Sequence, residues 1–244
     1  MTGHNAHPSW WWPNGPARIP RAWAAGLLAS LGAALFGVSA ILLRAEAVSW
    51  DVSLFRILNQ VPPAVASVLT PLSRLFLPAG IIAVVVLTVG YVVARTRSVL
   101  PLAAGAIAAG GAWALAHVAK ALADRPRPYQ VIAGAMLRQQ PAHGTSFPSS
   151  HTAVTMAVVL ALAAFLPRAL AAVAVAYAVL VAWSRVYLGV HYPLDVVAGA
   201  GIGMAVGGAV LLALGVLLNH AGRAANGQDA APPCGTAAGS PSHG

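Results

Sequence analysis

Six apolar runs, each close to the length of a membrane-spanning helix, dominate this sequence of 244 residues. They lie at about 23–43, 77–94, 99–119, 152–166, 169–187 and 196–218. A helix needs about 20 predominantly apolar residues to cross the hydrocarbon core of a bilayer. The fourth run is the shortest, and we expect its helix to extend back toward Pro148. The pattern predicts an all-α, polytopic membrane protein whose six transmembrane helices form a bundle.

The composition agrees with a membrane protein and excludes several other classes. Charged residues make up 8% of the chain, whereas a soluble globular domain has about 25%. The net charge of +9 comes from basic residues scattered between apolar runs, and a nucleic-acid-binding protein would gather them on one face. We therefore expect membrane lipids as partners, held in part by basic residues beside the spans, and no nucleic acid. The single cysteine, Cys234, cannot form an internal disulfide.

The chain divides into one membrane domain and two tails. We predict the domain over residues 23–220, an N-terminal tail at 1–22 and a disordered tail, rich in Ala, Gly, Pro and Ser, at 221–244. The first apolar run is longer than the core of a signal peptide, which has about 7–15 residues, so we expect it to be retained. The Trp10–Trp12 run predicts either an anchor at the level of the lipid headgroups or part of a disordered tail.

The connection between the first two spans is less apolar than the spans. Within residues 50–74, Leu54 and Ile57 recur at helical spacing among polar residues that include Asp51. This pattern predicts one or two amphipathic helices lying at the membrane interface, broken at the proline pair 62–63. The alternative is a loop packed over the bundle.

Glycines follow one another at four-residue steps in the last span. Gly199, Gly203 and Gly207 allow the backbone of a neighbouring helix to approach closely. Packing inside the bundle explains this stripe, and a homo-oligomer interface through the same three residues is the alternative.

The basic residues also bear on orientation. Their raw count would place the three clusters described below on the cytoplasmic face and the termini outside. Several of the counted residues, however, belong to those clusters. The first span often dominates topology, and Arg18 and Arg21 precede it. We therefore place both termini in the cytoplasm and the clusters on the extracytoplasmic face of the cell membrane. Two spans separate Lys120 from Arg185, so these residues must share a membrane face.

One cluster, Ser184-Arg185-x5-His191-x3-Asp195, leads into the last span. Pro193 suits the first turn of a helix, so we expect the helix to begin there. A carboxylate in that turn can accept a hydrogen bond from one imidazole nitrogen, which leaves the other free to attack. The alternative is that Asp195 only complements the helix dipole and His191 is an ordinary interfacial residue.

A second cluster, Pro148-Ser149-Ser150-His151, opens the fourth span. If Pro148 begins the helix, the N–H groups of the next three residues have no intrahelical acceptor and form an anion site. Ser149 adds a hydroxyl donor, and His151 could give a proton to a leaving oxygen. The alternative is a helix cap made of serines.

A third cluster, Lys120-x6-Arg127-Pro128, closes the third span. Arginine suits bidentate recognition of phosphate, and lysine acts as a compact point charge. The alternative is that these residues snorkel at the end of a span, and we interpret Arg125 in that way. His117, one turn before Lys120, either lines the cavity or satisfies a core hydrogen bond, and we favour the second interpretation.

Together these three motifs resemble those of the type-2 phosphatidic acid phosphatase superfamily, which includes membrane lipid phosphatases and soluble vanadium haloperoxidases. The resemblance covers about residues 77–218. It implies that His191 is a nucleophile forming a phosphohistidine, that Asp195 orients it, and that His151 protonates the leaving group and later activates water. The second motif departs from the family, which usually has glycine where Ser150 stands, and the added side chain affects how closely phosphate can approach.

The resemblance also implies a phosphate-binding set. Its members are Lys120, Arg127, Ser149, Ser150 and Arg185. No cofactor and no metal are implied, and the sequence offers no cluster of His, Asp, Glu or Cys suited to a catalytic metal.

We therefore expect an integral membrane phosphatase that is independent of metals. Bacterial members that resemble this chain act on polyprenyl diphosphates, phosphatidic acid or phosphatidylglycerol phosphate from the outer face. A lipid phosphotransferase with the same phosphohistidine is the alternative, because its site residues would be identical. A non-catalytic transporter fits less well, because a transporter usually places its charges near the middle of the membrane.

The predicted orientation can be tested by labelling single cysteines. In a background without Cys234, a cysteine at Gln139 should react with an impermeant reagent added from outside, and a cysteine at Arg95 should not. Labelling of position 95 alone would show that the orientation is the reverse of the predicted one.

Overall fold

The computed structural model describes residues 22–45 and 48–225, with side chains as far as residue 220. Its helices are α1 (Ala22–Arg44), α2 (Ser49–Asn59), α3 (Pro63–Ser73), α4 (Pro78–Thr96), α5 (Leu100–Leu122), α6 (Pro128–Val131), α7 (Ser150–Ala163), α8 (Arg168–Tyr187) and α9 (Pro193–Ala225). A 3-10 turn, Arg74–Phe76, joins α3 to α4. No β-strand occurs in this described part of the chain. The Trp10–Trp12 run, the pair Arg18 and Arg21, and the chain after Ala225 lie outside it.

Five helices are long and apolar enough to cross a membrane, namely α1, α4, α5, α8 and α9. They confirm the prediction of an all-α, polytopic membrane protein. The fourth predicted span is shorter than expected, because α7 has 14 residues and is therefore about 21 Å long. Nine of those residues are buried, and α7 packs against α5, α8 and α9. A helix that is apolar on every side belongs in the centre of a bundle, and α7 occupies that place.

The glycines of α9 pack inside the bundle. A Cβ atom added at Gly199, Gly203 or Gly207 would meet α7, and one added at Gly201 or Gly208 would meet α1. Small residues on both sides of α9 thus let two neighbours approach its backbone. This favours the internal-packing interpretation of the stripe, and it leaves no space for a second copy of the chain at those residues.

The connection between the first two spans forms two helices, and the axes of α2 and α3 differ by 91°. The apolar side of α2 faces outward, with Leu54 37% and Ile57 70% exposed. Its inward side carries Asp51, Phe55 and Asn59, all fully buried. A helix in contact with lipid places apolar groups outside and polar groups against protein. Ile57 and Asp51 follow that rule, whereas Phe55 is buried and Arg56 is exposed.

Asn59 ties α2 to the far side of the bundle. Its amide nitrogen donates to the carbonyl oxygens of Met136 and Tyr187, each at 2.9 Å. Its oxygen accepts the Met136 N–H at 2.8 Å. The helix is thereby fixed against the end of α8 and against the long connection that precedes α7.

The contact between α7 and α9 makes a stability prediction. In Gly203→Ala the new Cβ would lie 2.6 Å from the Met156 Cβ and 2.7 Å from the Ala153 carbonyl oxygen. The two helices must move apart, so we expect a loss of about 1–3 kcal/mol in stability and a lower midpoint of thermal unfolding in detergent. Gly110→Ala is the matched control, since nothing lies within 4 Å of its added Cβ. Equal midpoints for the two variants would contradict the close contact.

Candidate active site

A cleft of about 510 Å³ lies where the end of α5, the start of α7 and the turn between α8 and α9 meet. Polar and charged residues line one part of it. They are His117, Lys120, Arg127, Gln139, His143, Ser150, His151, Thr155, Arg185 and His191. The structure thus brings side chains from all three sequence clusters into one cavity. Among the predicted site residues, Ser149 and Asp195 lie behind the wall of the cleft.

The turn before α9 positions His191. The carbonyl oxygen of Arg185 accepts the N–H groups of both Val190 and His191, at 3.2 and 3.3 Å. Gly189 has a φ of +83°, a conformation that L side chains rarely adopt, and it packs directly on the backbone of Met136. The sharp turn lets α8 end and α9 begin at Pro193, as predicted, with His191 held between them.

Each ring nitrogen of His191 faces a charged group. Nδ1 lies 3.4 Å from Oδ2 of Asp195, and Nε2 lies 3.5 Å from Nη1 of Arg127. Both distances exceed those of well-formed hydrogen bonds, so each ring nitrogen faces its neighbour without forming a short hydrogen bond to it. A proton on Nδ1 would face the carboxylate and leave the Nε2 lone pair toward the cleft.

Burial lowers the pKa of His191 to about 4, with Arg127 and Lys120 lowering it further while Asp195 opposes the shift. The imidazole is therefore neutral at pH 7. A neutral imidazole keeps the lone pair that a nucleophile requires.

The carboxylate of Asp195 is fully buried and has several donors. Its Oδ2 accepts a short hydrogen bond from the hydroxyl of Ser146 and the Tyr192 N–H at 2.9 Å. Its Oδ1 accepts from Nη1 of Arg125 at 2.6 Å. Such a set of donors stabilises the ionised form of a buried carboxylate and fixes its orientation.

Arg125 does not snorkel at the end of a span, contrary to our prediction from the sequence. It is only 7% exposed, and its second nitrogen, Nη2, donates to Oδ2 of Asp51 at 2.5 Å. Asp51 is also buried, and its Oδ1 accepts the N–H of Leu194 at 2.8 Å. Burial alone would lower the pKa of the Arg125 guanidinium, but Asp195 and Asp51 together raise it above its ordinary value.

One sequence feature could have pointed to this ion pair. The chain has only five acidic residues, and Asp51 lies in an amphipathic helix beside the first span. A carboxylate in a membrane protein needs a charged partner. No sequence pattern near Asp51 identifies that partner, because Arg125 is 74 residues away.

Carbonyl oxygens hold the predicted phosphate-binding cations. Arg127 donates through Nε to Gly144 at 3.1 Å, and through Nη1 and Nη2 to Val190 and His143 at 3.0 and 2.9 Å. Nζ of Lys120 donates to the carbonyl of Thr145 at 2.8 Å. These contacts use some of the donors and leave others for a ligand.

Arg185 is almost fully buried at the end of α8. Nη2 donates to the carbonyl oxygen of Phe76 and to Ser184. Nη1 lies 3.5 Å from Oε1 of Gln139, at the limit of a hydrogen bond. Gln139 was not singled out in the sequence, and in this structure its oxygen lies where a ligand oxygen could meet Arg185.

The start of α7 differs from the prediction. The helix begins at Ser150 rather than Pro148, and the N–H of Ser149 donates to the carbonyl oxygen of Asp195 at 2.9 Å. The Ser149 hydroxyl accepts from Thr152 at 3.1 Å. Ser149 therefore joins α7 to α9 and does not face the cleft. The N–H groups of Ser150 and His151 are in the first helical turn and have no intrahelical acceptor.

Two further polar residues of α7 line the cleft. The hydroxyl oxygens of Ser150 and Thr155 are buried without a hydrogen-bond partner among the described residues. His117, expected in the core, is exposed and lines the cleft beside Trp113. Within residues 22–45 and 48–225, no group of three His, Cys, Asp or Glu side chains could hold a metal ion.

Comparison with known proteins places this geometry in a family. The model of the PAP2 superfamily matches residues 98–217, a range that contains all three clusters. The putative undecaprenyl-diphosphatase YbjG of Escherichia coli is 31% identical over 160 residues, which cover 63% of this chain and 77% of that protein. The chain belongs to the PAP2 superfamily.

Another curated relative and two crystal structures agree with this PAP2 assignment. An undecaprenyl-diphosphatase of Sulfolobus acidocaldarius is 34% identical over 85 residues, covering 35% of this chain and 41% of that protein. LpxE of Aquifex aeolicus superposes with a TM-score of 0.56 and 27% identity, over 67% of this chain and 95% of the other. A PAP2-type phosphatidylglycerolphosphate phosphatase of Bacillus subtilis gives 0.58 and 25%, over 78% and 96%. The protein is thus a multi-pass member of a membrane lipid phosphatase family.

Proposed function

We propose that this protein removes phosphate from lipid phosphates or diphosphates through a phosphohistidine formed on His191. One observation carries the proposal. Nε2 of His191 lies at the cleft beside the guanidinium of Arg127, while Nδ1 faces Asp195 on the other side. This is the arrangement of an oriented nucleophile with a cation next to the position where phosphate must bind.

The phosphate would bind between three cations. Lys120, Arg127 and Arg185 enter the cleft from the end of α5, from the following connection and from α8. A phosphate oxygen would displace the Gln139 side chain from Nη1 of Arg185, which now has only a 3.5 Å contact there. Free N–H groups at the start of α7, with the unpartnered Ser150 hydroxyl, supply further donors for the anion. We assign to these groups the phosphate contact that the family resemblance implies for Ser149.

The reaction would proceed in two steps. Nε2 of His191 attacks phosphorus as the bond to the leaving oxygen breaks, and His151 donates a proton to that oxygen. Water then attacks the phosphohistidine and gives its proton to His151, which releases inorganic phosphate and free His191. Asp195 stabilises the positive imidazole ring through Nδ1–H in the intermediate. The three cations supply the positive charge that the phosphoryl group needs, so we propose that no metal takes part.

The other part of the cleft suits a lipid. Ile82 of α4 and Trp113 of α5 line it and are 61% and 56% exposed on membrane-spanning helices. An apolar chain could therefore stay in the hydrocarbon phase while its phosphate enters the polar end. The named relatives act on undecaprenyl diphosphate or phosphatidylglycerol phosphate, and we propose polyprenyl diphosphate, phosphatidic acid and phosphatidylglycerol phosphate as substrates. Phosphate release from each purified lipid, with and without an alcohol acceptor, identifies the substrate and separates hydrolysis from phosphotransfer.

We also propose that the cleft opens on the extracytoplasmic face, with both termini in the cytoplasm. Arg18 and Arg21 before the first span support this orientation. Lipid diphosphates presented at the outer leaflet would then reach the polar end of the cleft directly.

Inhibitors test the chemistry of the site. Vanadate can take a five-coordinate geometry like that of phosphorus during transfer, so it should compete with the lipid substrate and inhibit phosphate release. A chelator should leave activity unchanged, because Lys120, Arg127 and Arg185 supply the charge. Activity lost in chelator and restored by magnesium would reject the metal-independent mechanism.

The two histidines should respond differently to substitution. His191→Ala should abolish turnover on every substrate, because no phosphoenzyme can form. His151→Ala should lose about 10²–10⁴-fold on a lipid monophosphate, whose alkoxide leaving group needs a proton. The loss should be markedly smaller on nitrophenyl phosphate, whose leaving group is stable as an anion, and intermediate on a diphosphate.

The measurement is the ratio of kcat/KM between substrates for each variant. A residual defect shared by all substrates is expected for His151→Ala, since the same residue activates water in the second step. Equal losses across the series, or a phosphoenzyme trapped in His191→Ala, would show that the two roles are wrongly assigned.

A further inference from the structure

Three buried charges form a chain behind the candidate nucleophile. Arg125 lies between two carboxylates, with Nη1 2.6 Å from Asp195 Oδ1 and Nη2 2.5 Å from Asp51 Oδ2. Both aspartates are fully buried, and the guanidinium also covers the ring of Tyr192 at 3.8 Å. None of the sequence motifs includes Asp51 or Arg125.

The charges of this group do not cancel. Arg125 paired with Asp195 alone would be neutral, and such a pair would offer His191 little negative charge. Because the guanidinium is shared with Asp51, the three residues together carry a net charge of −1. Asp195 is therefore oriented by a cation and still presents negative charge at Oδ2, the atom that faces Nδ1 of His191.

That negative charge is opposed on the cleft side. The titratable and charged groups that line the cleft with His191 are His117 and Lys120 of α5, Arg127 and His143 of the connection, His151 of α7 and Arg185 of α8. Lys120, Arg127 and Arg185 are cations, so they disfavour a positive charge on the imidazole, and the histidines would add to this effect only when protonated. The group behind His191 is the negative counterpart that a phosphohistidine, whose ring is positively charged, requires.

We propose that Asp51 and Arg125 are positioning residues, which hold Asp195 in place and preserve its negative charge toward His191. The inference rests on the proposed phosphohistidine function. It also gives α2 a role. Asp51 binds the N–H of Leu194 in the first turn of α9, so the amphipathic connection between the first two spans supports the nucleophile from behind.

The proposal predicts opposite effects for two substitutions. Asp51→Asn keeps the shape of the side chain and removes one negative charge, so His191 should become harder to protonate. Arg125→Gln removes one positive charge, so His191 should become easier to protonate. The Arg125→Gln shift should be the larger of the two, because Arg125 contacts Asp195 directly and Asp51 lies beyond it. Each shift should be on the order of one pH unit, which is what a unit charge roughly 10 Å away produces at an effective dielectric constant of about 20.

The double variant Asp51→Asn with Arg125→Gln removes both charges, so the loss of Asp51 should offset part of the Arg125→Gln shift and His191 should titrate closer to the wild type than in Arg125→Gln alone. A purely structural role would instead give titration shifts whose sign does not follow the charge removed, and the second substitution would not offset the first. The matched control is Asp124→Asn, which removes the same charge from an exposed side chain next to Arg125 and should shift His191 little, because solvent screens it.

Two measurements on the full chain in detergent are needed. The pH titration of His191, followed by nitrogen NMR and assigned with a His191→Gln variant, does not depend on turnover. The acid limb of kcat/KM for phosphate release should move with it, down for Asp51→Asn and up for Arg125→Gln. If Arg125→Gln does not fold, Asp51→Asn and the double variant still give the comparison.

The outcomes separate this inference from the proposed function. Titration shifts of opposite sign that offset one another in the double variant support the charge network, even if no lipid phosphate is hydrolysed, in which case only the proposed function fails. Phosphate release with a His191 titration that responds to Asp51→Asn no more than to Asp124→Asn overturns the inference and leaves the proposed function intact.

Discussion

Asp195 joins separate parts of the chain through one buried carboxylate and one carbonyl group. The carboxylate accepts from Ser146 and Arg125, both in the connection between α5 and α7, and faces His191. The carbonyl oxygen accepts the N–H of Ser149 at the start of α7. A buried charge is costly unless it is paired and hydrogen-bonded, so α7, α9 and the connection must come together for any of these groups to be satisfied. The cleft forms as a consequence of that closure.

The membrane environment explains why the buried charges around Asp195 can lie at the end of an apolar bundle. Lipid tails are as apolar as leucine, so helices in a bilayer associate through close packing and internal polar contacts. The glycines of α9 provide the close packing against α1 and α7, and Asp51, Arg125 and Asp195 provide the polar contacts. The orientation of α2, with Ile57 outward and Asp51 inward, has the same cause. The two kinds of contact are complementary, since the glycine contacts align α7 with α9 and the ion pairs fix the ends of the helices.

Local patterns predicted most of the helices and the residues that the cleft brings together. The start of α9 at Pro193 was predictable because proline suits a first helical turn. The start of α7 at Ser150 was not, because the Ser149 N–H binds Asp195, a partner 46 residues later. Arg125 was misinterpreted for the same reason, since snorkelling is the common fate of a basic residue at a span end and its two carboxylate partners are distant in sequence. The roles of the cleft residues remain predictions, supported by their convergence and by the PAP2 family.

Three backbone carbonyl groups fix the guanidinium of Arg127 at the polar end of the cleft. Carbonyl oxygens of His143, Gly144 and Val190 accept from all three of its nitrogens, so the guanidinium cannot turn when a ligand arrives. A fixed donor aimed at the site of charge stabilises a transition state without reorganisation. Lysine at this position would supply one nitrogen and could not make the same three contacts. The orienting contacts come from carbonyl groups of the chain itself, so binding of a phosphate would not have to order this side chain. The same is true of Asp195 behind His191, and the polar end of the cleft is therefore organised from both sides before substrate enters.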